Sequence, residues 1–200
     1  MASELSRPLT DRMVHLCVDM QLLFSADGPW PTPWLERVLP VVAELAGRFP
    51  ERTVFTRFIP PPHPKDMPGT WRDYYEKWRA ATREHLDPGL LELLPPLARL
   101  VPPAVVVDKS RYSAFSAPRL HAHLRGRGAD GLIVTGSETD VCVLASVLSA
   151  VDHGYRVILV RDAVCSSSDK GHDALLELYQ RRYSVQIETA DAETILRAWS

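Results

Sequence analysis

Six short apolar runs punctuate the chain, and between them the apolar residues fall at helical spacing. Met13-Val-His-Leu-Cys-Val-Asp19 is nearly continuous and ends in a carboxylate, as a central strand of a parallel sheet does when both its faces are covered. Thr53–Phe58, Ala104–Asp108, Gly131–Thr135, Tyr155–Arg161 and Tyr183–Ile187 read as five further strands. Leu35, Val38, Leu39, Val42 and Leu45 form one face of a helix that Thr32 caps, with Pro33 in its first position, and that runs to about Gly47. Further helices are expected over Pro118–Arg127, Thr139–His153 (ended by Gly154), Asp169–Arg181, and from Asp191 onward. Residues 1–11 are polar and read as a frayed tail. Strands alternating with helices over the whole length make this one α/β domain, 1–200, with helices on both faces of the sheet.

The stretch from Pro60 to Pro102 breaks the alternation. Prolines cut it into short pieces, and Trp71, Tyr74, Tyr75 and Trp78 make an aromatic amphipathic helix. Such a stripe serves equally as a lid, an oligomer contact or ordinary core.

Composition narrows the partners. A net charge of −2 gives no electrostatic reason to expect nucleic acid or an anionic membrane. No apolar run approaches the roughly 20 residues that span a bilayer. The first residues lack the apolar centre of a secretion signal, so a cytoplasmic location is expected. Cys17, Cys142 and Cys165 are odd in number and far apart, which argues against a disulfide framework and a paired-cysteine zinc site. No Gly-x-Gly-x-x-Gly or P-loop follows a strand, so a nucleotide-binding domain is not favoured.

The chemistry gathers at strand ends. Val134-Thr-Gly-Ser-Glu-Thr-Asp-Val-Cys142 reads as strand, tight turn and helix, with Ser137 and Thr139 as N-cap types and Asp140 suited to the positive helix end. Cys142 then lies in a first helical turn, where the dipole and unpaired N–H groups favour a thiolate; a small buried residue is the alternative. Asp19 and Lys109 also close strands. In an open α/β sheet these carboxyl ends form one rim, where ligands bind. A carboxylate that takes a thiol proton, a lysine beside both, and turn N–H groups facing a developing oxyanion make a coherent nucleophilic site.

These residues resemble the isochorismatase-like cysteine hydrolases, which include nicotinamidases and carbamoyl-amide hydrolases. The resemblance is carried by Cys17-Val-Asp-Met-Gln21 with Phe24, Asp108-Lys109 with Tyr112-Ser-Ala-Phe115, and Gly136-Ser-Glu-Thr-Asp-Val-Cys-Val143. Ala150-Val-Asp-His-Gly-Tyr-Arg-Val157 and Asp162-Ala-Val-Cys165 extend it. It implies a Rossmann-like three-layer α/β/α fold whose six-stranded parallel sheet has the order 3-2-1-4-5-6. It further implies Cys142 as nucleophile, Asp19 as general base and acid, and Lys109 as an orienting and polarising group. A cis Ser137–Glu138 peptide is also implied, with the N–H groups of Glu138 and Cys142 as oxyanion hole. The nicotinamidase branch follows its second strand with metal ligands. Here Thr56-Arg-Phe-Ile-Pro60 offers none, and His63 and His85 lack a carboxylate partner, so neither metal nor cofactor is expected.

The expected reaction is hydrolysis of a C–N bond in an amide, carbamoyl or lactam-type small molecule through an acyl-enzyme. An isochorismatase-type vinyl-ether hydrolase, which has no use for Cys142, and a non-catalytic scaffold are the alternatives. Phe24, Trp30, Trp34, Trp71 and Tyr112 could line the substrate pocket, with core packing an equal account of each. Glu138 could read the substrate through its side chain, though a backbone role suffices. Cys17 and Cys165 read as buried and inert, Asp162 as a structural acceptor in a loop, and His121 and His123 as solvated. A homo-oligomer, dimer or tetramer, is expected as in relatives.

Overall fold

The computed structural model describes residues 5–199. Its sheet has six parallel strands: β1 (Met13–Val18), β2 (Thr53–Phe58), β3 (Val105–Lys109), β4 (Gly131–Ser137), β5 (Arg156–Cys165) and β6 (Ile187–Ala190), in the order β3-β2-β1-β4-β5-β6. The helices are α1 (Leu35–Arg48), α2 (Thr70–Lys77), the short α3 (Pro95–Ala98), α4 (Pro118–Gly126), α5 (Leu144–Asp152), α6 (Asp169–Arg182) and α7 (Ala192–Ala198). Among the described residues no helix is long and apolar enough to cross a membrane.

Strand parity divides the core. On β1, Met13 and Cys17 face a cluster built with Val38, Val42 and Leu45 of α1 and Ile195 of α7. Val14, Leu16 and Val18 face the other cluster, with Leu120 of α4, Val147 of α5 and Tyr179 of α6. Both faces are therefore covered, which is why these strands read as unbroken apolar runs. The chain builds outward from β1 in one direction and from β4 in the other, so the switch point lies between β1 and β4. There Cys17 pairs with Thr135 and Val18 with Gly136.

Three expectations about the chain's course are corrected. Residues 5–11 of the expected tail are docked rather than frayed: the Arg156 guanidinium donates to the carbonyls of Arg7 and Pro8 (2.8 and 2.9 Å), and the Thr10 hydroxyl donates to Asp130 at 2.8 Å, beside the Arg12–Asp130 pair at 2.9 Å. Residues 1–4 of the expected tail lie outside the described residues. The last strand begins at Ile187 rather than Tyr183, because α6 continues to Arg182 and the Tyr183 carbonyl closes a turn by accepting from Gln186 and Ile187 N–H. Val185, expected inside that strand, is 98% exposed. Helix α1 starts at Leu35 without a side-chain cap, since the Thr32 hydroxyl is directed elsewhere.

Candidate active site

The rim at the β1/β4 switch point is built by three local devices. Gly136 has φ +115°, and a Cβ there would lie 2.1 Å from the Val18 carbonyl oxygen, so only glycine lets β4 approach β1 this closely at its end. The Ser137–Glu138 peptide is cis. The helix that follows opens with a π turn, Thr139–Val143, in which Val143 N–H reaches back to the Glu138 carbonyl. The cap assignments of Ser137 and Thr139 do not hold: the N-cap is Glu138 with no side-chain cap, Ser137 is buried in β4, and the Thr139 hydroxyl pairs with His172 Nδ1 at 2.9 Å. Asp140 accepts from Ser166 Oγ at 2.5 Å.

Asp19, Lys109 and Cys142 converge. Lys109 Nζ lies 2.6 Å from Asp19 Oδ2, and neither side chain has any solvent exposure. Thr56 donates to the other Asp19 oxygen at 2.6 Å, and Lys109 donates to the Arg111 carbonyl at 3.0 Å. The Cys142 thiol is within hydrogen-bonding reach of both Asp19 and Lys109. Burial works against the Lys109 ammonium, but Asp19 and then Cys142 outweigh it and hold its pKa above the ordinary lysine value. Cys142 is the correction. Burial pushes its thiol up, Asp19 adds to that, and the opposing charge of Lys109 does not reverse it. The acidified thiolate expected from the helix end is not the resting form.

The motif residues beside Lys109 lock its loop to the nucleophile helix. Ala114 N–H donates to Ser146 Oγ, which donates to the Cys142 carbonyl, and Ser113 bonds Ser149. Gln21 is fully buried and holds the far side: its amide donates to the carbonyls of Phe58 and Leu91, and its oxygen accepts Phe58 N–H at 2.7 Å.

Aromatic residues cluster around Trp30 and Trp71. Trp30 contacts Phe24, Phe58, Tyr74 and Trp78, and Trp71 contacts Tyr74, Tyr75 and Tyr112, the last at 4.7 Å between ring centres. Phe24 and Tyr75 are core residues, whereas Trp30, Trp71, Tyr74 and Trp78 are half-buried and Tyr112 is exposed. Helix α2 is thus anchored by Tyr75 and turns its other rings toward the site. The Tyr112 phenol is pushed above its usual range by burial, then by Cys142 and Glu138. The same groups act on Tyr74 after its burial and Tyr112, so both phenols lie near nucleophile and Glu138. Trp34 stands apart, stacked under the Arg37 guanidinium at 4.3 Å and lining a cavity of roughly 190 Å³ with Cys165 and His172.

Thr32, Thr56 and Tyr74 were not singled out by sequence as parts of the site. Tyr74 reads there only as part of the aromatic stripe and Thr32 only as a helix cap; Thr56 leaves a trace as a polar residue inside β2. The remaining assignments divide. Cys17 and Cys165 are buried, and burial pushes both thiols up to about 12. Asp162 accepts from Ala192 N–H at the start of α7, but from within β5 rather than a loop. His121 is packed against Phe115, His153 and Tyr155 instead of solvated. His63 and His85 do have a carboxylate beside them, Glu84, all three exposed; among the described residues no group of three His, Cys, Asp or Glu could hold a metal ion.

Residues 13–191 match the isochorismatase domain family. Maleamate amidohydrolase of Pseudomonas putida is 34% identical over 93 residues, 46% of this chain and 44% of that protein. An isochorismatase family protein of Bacillus subtilis is 29% identical over 132 residues, 66% of this chain and 64% of its own length. The matched stretches thus cover less than two thirds of these relatives. A cysteine hydrolase structure from Pseudomonas syringae pv. phaseolicola superposes with a TM-score of 0.83 at 25% identity, over 99% of this chain and 98% of that one.

Proposed function

The chain belongs to the isochorismatase family, and from that premise we propose that it is a cysteine-dependent hydrolase of the C–N bond in an amide, carbamoyl or lactam-type small molecule. The observation that carries this reading is the solvent-excluded Asp19–Lys109 pair at 2.6 Å with the Cys142 thiol against both members. A thiol kept protonated by burial needs a base at the moment of attack, and Asp19 is the base in contact with it.

In this mechanism Asp19 takes the Sγ proton as the sulfur attacks the substrate carbonyl carbon. The oxyanion that forms is met by the N–H groups of Glu138 and Cys142, where the turn and the first helical turn present donors to an incoming charge. Lys109 holds Asp19 in place and offsets the negative charge. The tetrahedral species collapses as the C–N bond breaks, and the proton held by Asp19 goes to the leaving nitrogen. Asp19 then takes a proton from water, whose oxygen attacks the thioester; breakage of the C–S bond releases the acid, and the proton returns to sulfur. No step requires a metal or cofactor. Trp30, Trp71, Tyr74 and Tyr112 line the approach for the small-molecule substrate. A dimer or tetramer in a cytoplasmic setting completes the proposal.

A vinyl-ether hydrolase would use Asp19 as acid but leave Cys142 without a task. The deciding experiment is a hydrolysis screen over an amide library, with Cys142→Ala as control and intact-protein mass spectrometry to trap the acyl adduct. Amide turnover that vanishes in Cys142→Ala, with an adduct on Cys142 in the wild type, is the expected result. Full turnover by Cys142→Ala would sink the scheme.

A further inference from the structure

Glu138 lies next to the nucleophile turn, and its backbone role leaves the side chain unexplained. The carboxylate is half-buried and receives one hydrogen bond, from the neutral hydroxyl of Thr32 at 3.3 Å. Among the described residues it enters no ion pair. Asp19 and Lys109 neutralise one another at 2.6 Å, whereas Glu138, four residues before Cys142 in the turn, has no cationic partner among the described residues. The Arg111 guanidinium is engaged by other partners. It lies over the Trp71 ring at 5.3 Å and donates to Ser110 and to the Met67 sulfur. Burial is the main influence on all three phenols; beyond it, Arg111 and Cys142 both act on Tyr75, whereas Cys142 and Glu138 act on Tyr74 and Tyr112. A substrate at Cys142 therefore meets a carboxylate and two phenols, flanked by the Trp71 ring 4.7 Å from Tyr112.

We propose that the Glu138 carboxylate determines substrate charge, selecting amides that carry a cationic group near the scissile carbonyl and rejecting amides that carry a carboxylate. The chemistry is direct. An ammonium gains both the carboxylate and the electron-rich ring faces, which attract cations, while a second carboxylate would be desolvated next to a like charge. Maleamate, the substrate named for the Pseudomonas putida relative, is an amide bearing a free carboxylate, and this site would disfavour it. The assignment rests on the hydrolase reading above only for its turnover assay.

The test uses benzamide and its para-trimethylammonio and para-carboxy derivatives, one scaffold in three charge states. For the wild type, kcat/KM for the ammonio amide is expected to exceed that for the carboxy amide at least tenfold. In Glu138→Gln that ratio falls at least tenfold, through KM more than kcat, because the charge is lost while the oxygen facing Thr32 is kept. Calorimetric binding of the same three amides to Cys142→Ala gives a readout independent of turnover, with the ammonio amide expected to bind tightest. A wild type that prefers the carboxy amide, or a ratio that Glu138→Gln leaves unmoved, overturns the proposal. If the wild type cleaves none of the three but Cys142→Ala binds them in the stated order, the charge assignment stands on binding, and the hydrolase reading is decided by the amide-library screen. Equal binding, or binding of none, overturns the assignment itself.

Discussion

Replacing Lys109 by methionine tests the centre of the site. The substitution keeps most of the side-chain volume and deletes the ammonium that lies 2.6 Å from Asp19 Oδ2, in a pair with no solvent exposure on either side. Asp19 is then left with two neutral partners, the Thr56 hydroxyl and the Cys142 thiol. Removing one partner of a buried pair costs about 3–5 kcal/mol, because the remaining charge has lost both water and counter-ion. In a domain of this size each kcal/mol lowers Tm by about 2–4 °C, so a drop of roughly 6–20 °C is expected. Equilibrium urea unfolding at neutral pH measures the loss, and the double variant Lys109→Met/Asp19→Asn completes the cycle. With both charges gone, the double variant should lose less than the sum of the singles by about 1–3 kcal/mol. The sign with pH also follows. The Lys109 pKa is raised in the fold, so its contribution is full below the unfolded value near 10.4 and is lost only as pH climbs through the folded value. The stabilisation is thus intact across the neutral range. A single-variant loss below about 1 kcal/mol, or strictly additive singles, would refute the argument from the buried pair.

Three further outcomes follow from the same geometry. Thr56→Val deletes the 2.6 Å hydrogen bond to Asp19 and should cost about 1.5–3 kcal/mol by urea unfolding, with kcat falling more than KM rises; unchanged kcat would remove Thr56 from the site. Gly136→Ala should abolish soluble folded protein or lower Tm steeply, since its Cβ would sit 2.1 Å from the Val18 carbonyl, whereas Gly47→Ala, with nothing within 4 Å, should be neutral or gain about 0.5–1 kcal/mol; equal thermal melts of the two would contradict this. His15, fully buried between Thr53 and Thr135, has its pKa lowered by burial to about 3. Only the unfolded chain then binds the proton below about 6.5, so stability falls with pH at ~1.4 kcal/mol per unit, roughly 2 kcal/mol by pH 5, and His15→Gln should lose that part of the slope in urea titrations run at several pH values.

The legible part of the molecule is the part governed by burial along the chain. Strands covered on both faces appear as unbroken apolar runs, and a charged residue closing such a run marks the rim, so Asp19, Lys109 and the Cys142 turn could be read directly. What escaped depends on pairs made by folding. Thr32 meets Glu138 across 106 positions of sequence and Thr56 meets Asp19 across 37, and neither residue type signals its partner. The docked segment 5–12 is held partly through main-chain carbonyls that Arg156 finds, and carbonyls have no sequence identity at all. At the other end, the alternation Tyr183, Val185, Ile187 imitates a strand. The turn that the Tyr183 carbonyl closes after α6 moves that strand on, and Val185 is left in solvent.

The Cys142 thiol shows why a local pattern and a folded site can disagree about chemistry. A helix start favours negative charge by about 0.3–1 kcal/mol, up to ~2 kcal/mol when partly buried. Full burial can move a pKa by about 3–5 units at 1.36 kcal/mol each, which is several times larger. The first effect is visible in a strand–turn–helix motif; the second exists only once both clusters of the core have closed around the rim. Burial therefore decides the resting form, and the thiol keeps its proton. A nucleophile in that state gains nothing from waiting as a thiolate in water; it needs a base whose position is fixed before the substrate arrives. That is what Lys109 and Thr56 provide, by gripping the two oxygens of Asp19 from two neighbouring strands, β3 and β2, while β1 delivers the carboxylate. The reactivity of this site then belongs to the pairing of three strand ends more than to the motif that contains the cysteine.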